Sequence, residues 1–430
     1  MTKVFIAEQE TLLEVQKQVD KLTNNLLPLD KPIYAMVIHE ASDLNPNSRV
    51  EYLGANKNFT PMSMNMSTHA MNYGSWADWS WLKANVPVMC NFDGGIDYYL
   101  NPNDYTKKAD GTDSDVSNVD YAGDAMSVIQ KIYKKEYKVG NDRYVFFCER
   151  KVDEDFKAVG FNVLGKERDY MLIPMFYGSI DANGKMRSIA GQWSCLTASG
   201  NASDNTTGTA IGTAEQYAAI QKASKNGLFF GGALVNTLAD ICVLLSKSTN
   251  SQAAFGYGMC STYVEDKAQH YGTQINTVVG GGQFYGSSDQ KSFNKIFHSC
   301  VMGSYMLWQR DPYMLLKNGR ILVSPDYTYD LTGATYLDTG VDLAANGYYA
   351  TTRVIEDFGS VPTDELVCSS ATGYCDHTWV NATILAVSLR FGGCGNGLRG
   401  GLFARPLLNV AAGAWWAYAA SKLLPAPAAA

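Results

Sequence analysis

"RFGGCGNGLRGGLFARPLLNVAAGAWWAYAASKLLPAP", residues 390–427, decides how this chain is read. It holds three arginines, a run of glycines and a Trp-Trp-x-Tyr cluster in its final stretch. A membrane tail is the first alternative. Its apolar run from Val410 to Ala420 is only about half of the roughly 20 residues a spanning helix needs, and Arg405, Asn409 and Lys422 interrupt anything longer. Two readings remain, a strand-and-loop binding surface and an apolar C-terminal strand that closes a sheet with Trp416 buried, and one strand can serve both because alternate residues face opposite sides. Glycine and alanine allow close backbone approach, and Tyr, Trp and Arg bring large contact area at low rotamer cost.

Working outward, the 430 residues are enough for a sizeable core, and a hydrophobic content of 46% with 18% charged residues is that of a folded domain. A net charge of −7 with no basic stripe argues against nucleic-acid binding. The nine cysteines are scattered and show no C-x-x-C spacing, so neither a zinc knuckle nor a disulfide framework is indicated. "MTKVFIAEQE" lacks the basic and apolar regions of a secretory signal.

Leu12, Val15, Val19, Leu22 and Leu26 alternate spacings of three and four, predicting a short helix or coiled coil over residues 1–30. A strand-rich anchoring segment follows over 31–86, with "IYAMVIHE" and "RVEYLG" as strands and a Met- and Trp-rich stretch read as irregular core or subunit contact. Asp97, Asp104, Asp110, Asp113 and Asp115 crowd one turn-laden stretch, but EF-hand spacing is missing and a solvated loop is expected. Asn183-Gly184 between apolar runs predicts a hairpin. "TASGNASDNTTGTAIG" (197–212) reads as an exposed loop. Two interior helices are expected in "TAEQYAAIQKASKNG" and "ALVNTLADICVLLSKST", the second with Leu234, Leu238, Ile241 and Leu245 on one face. The pattern from residue 87 to 424 predicts one domain, with residues 425–430 as a disordered tail.

No catalytic constellation stands out. The five histidines are dispersed, no G-x-S-x-G elbow or Walker A loop is present, and "GGCGNG" lacks a phosphate loop's lysine. An enzyme is therefore not expected, and no metal or cofactor is implied.

Gly392-Gly393, Asn396-Gly397, Gly401, Phe403, Leu407, Asn409, Ala411, Ala414, Trp416, Ala420 and Ser421 fall in order on a family frame. "TGYCDHTWVN" (372–381) keeps its Cys375, Asp376, Trp379 and Asn381. In these segments the chain resembles the variable proteins of diversity-generating retroelements and the related C-type-lectin-fold receptor-binding proteins of bacterial viruses. The likeness spans roughly Pro87 to Leu424, and Pro406, Leu408, Gly413, Trp415 and Ala417 replace the asparagines that such elements rewrite.

The resemblance implies an α+β fold: an expanded C-type lectin-like domain, akin to formylglycine-generating enzymes, with a variable face at 390–424. It implies a virion adhesin made in the bacterial cytoplasm, whose receptor contacts are Arg399, Arg405, Leu408, Trp415, Ala417 and Tyr418. Gly392, Gly393, Phe403, Leu407 and Trp416 would be scaffold. The implied partners are a host cell-surface protein or glycan, other virion proteins through the N-terminal region, and two further copies in a homotrimer; neither nucleic acid nor membrane insertion is expected. The alternative is a structural virion protein, a head fibre or tail decoration. A glycan-processing enzyme would need a pocket with paired carboxylates.

Overall fold

The structure is a computed structural model describing residues 31–40, 44–194, 211–261, 281–344, 346–414 and 418–427. The expected N-terminal helix and all but the last two residues of the 197–212 loop lie outside the described residues. The fold is mixed and mostly sheet, with few helices.

Its centre is the helix Gly232–Ser246. The sequence pattern predicts one apolar face, yet every residue from Gly232 to Leu245 is buried, because sheets surround the helix. Its polar residues are therefore matched one by one. Asn236 Nδ2 donates to Phe358 O at 2.9 Å, and Thr237 Oγ1 to Val159 O at 3.1 Å. Asp240 Oδ2 receives Lys134 Nζ at 2.7 Å and Arg143 Nη2 at 2.5 Å. Glu136, half-buried at the edge of the sheet, binds the same two cations and completes a quartet of two positive and two negative groups, of which Lys134, Arg143 and Asp240 are shut off from water. The other expected helix is Thr213–Ala223.

A four-stranded antiparallel sheet runs in the order Val50–Gly54, Tyr34–His39, Asp142–Cys148, Tyr133–Val139. The segment 31–86 is continuous with the chain that follows, since its first strand sits inside a sheet completed by residues 133–148. Trp76, Trp79 and Trp81 pack as core, with ring centroids 5.5 and 5.1 Å apart. A seven-stranded antiparallel sheet includes Pro87–Asn91, Gly123–Gln130 and Tyr170–Pro174. The late strand Lys422–Pro425 is inserted between Tyr170–Pro174 and Leu228–Phe229. Buried Lys422 meets Asp124 at 2.6 Å there, and Ala426 N donates to Tyr170 O at 3.0 Å. The tail from 425 is therefore ordered through its first residues, against expectation. Ser179–Ile180 and Met186–Arg187 form the hairpin expected around Asn183-Gly184.

The third sheet is built on the long strand Trp308–Lys317, flanked by Arg320–Val323 and Leu385–Arg390, with Tyr418–Ala419 pairing in parallel at its start. A three-stranded sheet, Gly359–Cys368, Asn346–Ile355 and His377–Val380, lies over the central helix, where Arg405 joins Ser360 O to Asn236. Among the described residues, no helix is long and apolar enough to cross a membrane.

Candidate functional site

The C-terminal glycine segment is held from below by one buried carboxyl group. Asp376 Oδ2 accepts Phe403 N at 2.8 Å, and Ser251 Oγ, 3.5 Å from that oxygen, accepts Leu402 N at 3.1 Å. Gly401 has φ +151, and a Cβ there would stand 2.2 Å from Asp376 Oδ1, so only glycine fits. Burial pushes the Asp376 carboxyl well above its usual range. Cys394 N to Met306 O (2.9 Å) and Gly397 N to Cys260 O (2.8 Å) fix the same loop to the core.

Above this support, four separated segments bring aromatic rings side by side. His377 and Trp379 occupy positions i and i+2 of one strand and so share a face, with centroids 4.3 Å apart. Tyr349, opposite His377 in the neighbouring strand, meets it edge-on at 4.9 Å. Trp379 meets Trp308 edge-on at 5.6 Å, and the Trp308 backbone stands opposite Tyr418 in the neighbouring parallel strand. All five rings are half-buried. Trp308 and Tyr418 rest on a small apolar cluster that includes Val387 and Leu389. Edge-to-face packing of this kind fixes ring orientation while leaving edges and faces for a ligand.

The rim is apolar and basic. Seven large hydrophobic residues are exposed among the described residues, and three of them are here: Leu398 (49%), Leu408 (37%) and Val410 (55%). Such a concentration is the mark of an interaction surface. Arg399 is exposed beside His377. Burial, reinforced by Arg399, lowers the His377 pKa to about 4, so the ring is neutral at pH 7; among the described residues its Nδ1 has no hydrogen-bond partner.

Of the residues singled out from sequence, Arg399 and Leu408 are exposed and Tyr418 is half-buried, its hydroxyl donating to Asn409 Oδ1. Arg405 is not available to a receptor. It is 1% exposed, with Nη1 on Ser360 O at 2.9 Å and Nη2 on Asn236 Oδ1 at 2.7 Å. Its place between two segments that each need a donor makes it part of the core. Trp415, Ala417 and the scaffold residue Trp416 lie outside the described residues. Gly392, Gly393, Phe403 and Leu407 are buried.

Sequence reasoning passes over Tyr349, His377, Trp379 and Trp308 as site residues. The alternation of His377 and Trp379 is a signal for a shared face; nothing local announces that Trp308 and Tyr349 join them.

What the arrangement presents is aromatic, apolar and basic contact area. Burial raises the thiols nearest the loop, Cys394 and Cys260 each to about 11, so both are protonated and poor nucleophiles at pH 7. Among the described residues no cluster of His, Cys, Asp and Glu is arranged to hold a metal ion. No protein-family model and no curated protein sequence matches the chain.

Proposed function

We propose that this protein is a receptor-binding protein of a bacterial virus: an expanded C-type lectin-like domain that attaches the virion to its host through the C-terminal face. The carrying observation is the row of half-buried rings from Tyr349 to Tyr418, edged by exposed Arg399, Leu398, Leu408 and Val410. Aromatic and arginine side chains on a rigid support are the usual carriers of binding energy. The rigid support here is the Asp376-anchored loop and the sheet beneath it. Weak single contacts become lasting attachment when several copies act together, and a trimer joined through residues 1–30 supplies that avidity.

The test is binding of purified protein to host-type bacterial cells, beside a variant carrying Trp379→Ala, Arg399→Ala and Leu408→Ala. Two of these three positions are exposed, and a thermal melt establishes that the variant is folded. Loss of binding by the folded variant supports attachment through this face. Equal binding by both proteins places recognition elsewhere. Absence of binding by either, with assembly into virions intact, favours the structural role, for which the same exposed leucines would be a subunit contact.

A further inference from the structure

The strand that carries Tyr349 borders, at its other end, a cleft of about 810 Å³ that the adhesive face does not use. Ligand sites run to about 300–1,000 Å³. One wall is the edge strand Tyr133–Val139 and the other is Asn346–Ile355, and both present main-chain groups to the gap.

The direction of those groups follows from bonds already formed. Lys134 exchanges two main-chain bonds with Lys157, at 2.8 and 2.9 Å, on the side away from the Asp142–Cys148 strand. Strand groups alternate with period two, so the N–H and C=O of Glu136 and Lys138 face the same way. Across the gap, Thr352 N donates to Glu40 Oε2 at 3.1 Å and Thr352 O accepts Lys138 Nζ at 2.8 Å, both away from the Gly359–Cys368 strand. Val354 therefore faces the cleft too. At Thr352 the two edges are bridged by side chains. By this alternation Glu136 N, Lys138 N and Val354 N point into the gap, and among the described residues none of them bonds to the main chain of another element there.

Unpaired facing edges are a template for an added strand. The charges at the mouth select its type. Among the described residues, Glu356, Asp357 and Glu365 are exposed on the Val354 side without ion-pair partners, against Arg353 and Lys157, which also lack them. On the opposite lip, Asp155 is already matched to Lys135 at 2.6 Å and Glu154 to Lys151 at 2.7 Å.

We propose that this cleft receives an extended, basic polypeptide segment, which adds as a strand between the Glu136–Lys138 and Val354 edges. Main-chain bonds give the affinity and the uncompensated acids set the preference for lysine or arginine side chains.

The probe is the capped hexapeptide of alternating lysine and valine, fluorescently labelled, with two companions. One replaces lysine by glutamate; the other is methylated at alternate backbone nitrogens, keeping charge and side chains but removing strand donors. The lysine peptide is expected to bind and to slow amide exchange at Glu136 and Val354. Methylation is expected to weaken it about tenfold or more, the equivalent of one to two hydrogen bonds. The glutamate peptide is expected to bind at least about tenfold more weakly. Val354→Pro, which removes an outward N–H and no ladder bond, is expected to abolish protection at Glu136. Equal binding of the methylated or the glutamate peptide overturns the proposal, as does no binding of the lysine peptide up to about 1 mM. The methylated-peptide comparison uses the unaltered protein and so decides the matter even where the proline variant fails to fold.

Discussion

Replacing Asp240 by asparagine keeps the shape of a side chain in the middle of the central helix and removes one negative charge from a closed quartet. Lys134, Arg143 and Asp240 have 0% side-chain exposure, and Glu136 has 7%. With Asp240 present the group sums to zero; with the neutral amide in its place it holds one uncompensated positive charge that water cannot reach. Breaking a buried pair in this way costs about 3–5 kcal/mol, against a total stability of about 5–15 kcal/mol for a folded domain. The expected result is a loss of that size in the urea unfolding free energy, with the slope against denaturant unchanged. Acid dependence supplies a second reading. Burial alone would raise the Asp240 carboxyl, but Arg143 and Lys134 outweigh it and hold it below its usual range. A carboxyl lowered on folding stabilises above its unfolded pKa of about 3.9, and that contribution is lost as pH falls through the folded value. The acid limb of the stability curve is therefore expected to be shallower in the asparagine variant. The double change Asp240→Leu with Lys134→Met restores charge balance and is expected to recover part of the loss. A cost for Asp240→Asn below about 1 kcal/mol, the range of an exposed ion pair, would refute the picture of a sealed quartet.

Three other outcomes follow from the C-terminal segment. Arg405→Ala leaves Ser360 O without its donor and opens a cavity; it is expected to cost about 2–4 kcal/mol in urea unfolding, with cell binding per folded molecule unchanged. Gly401→Ala meets Asp376 at 2.2 Å and should destabilise by more than about 2 kcal/mol, whereas Gly140→Ala, at φ +58 with nothing within 4 Å, should cost only about 1 kcal/mol, both by thermal melt. His377 should titrate near pH 4 by NMR, and Arg399→Gln should raise that midpoint. Its folded pKa lies below the unfolded value of about 6.5, so its contribution is full above that pH and is lost as pH falls toward about 4.

Local pattern carries the reading where a structure is built from neighbours in sequence. Asn183-Gly184 announces the hairpin through its turn chemistry, and the spacing of Leu234, Leu238 and Ile241 announces the central helix. The buried arginines are beyond that kind of reading. Among the described residues, five of the twelve largest fully buried side chains are arginines, Arg49, Arg143, Arg310, Arg390 and Arg405. A charged side chain belongs at the surface unless a partner offsets the cost of burial, and the partners here are remote: Asp311 for Arg390, Asn236 for both Arg390 and Arg405. From sequence, Arg405 is accordingly mistaken for a contact residue. The aromatic row escapes for the same reason. Its rings come from strands beginning at residues 308, 346, 377 and 418, and only the sheet pairings make them neighbours.

The insertion of Lys422–Pro425 between strands made far earlier has a consequence for how the molecule is synthesised. Met171 waits on the ribosome until Pro425 emerges, and Asp124 carries its charge in an unfinished interior until Lys422 arrives. Contacts of such long sequence separation form slowly, because the loop must close before any stabilising contact is made. The seven-stranded sheet therefore closes only after Lys422–Pro425 has been made. Chains released before Lys422 would display two adjacent unpaired strand edges, the form of intermediate that chaperones retain and proteases remove. A copy cut anywhere before Lys422 thus lacks the one strand that joins Tyr170–Pro174 to Leu228–Phe229, and its core stays open however well the rest has folded.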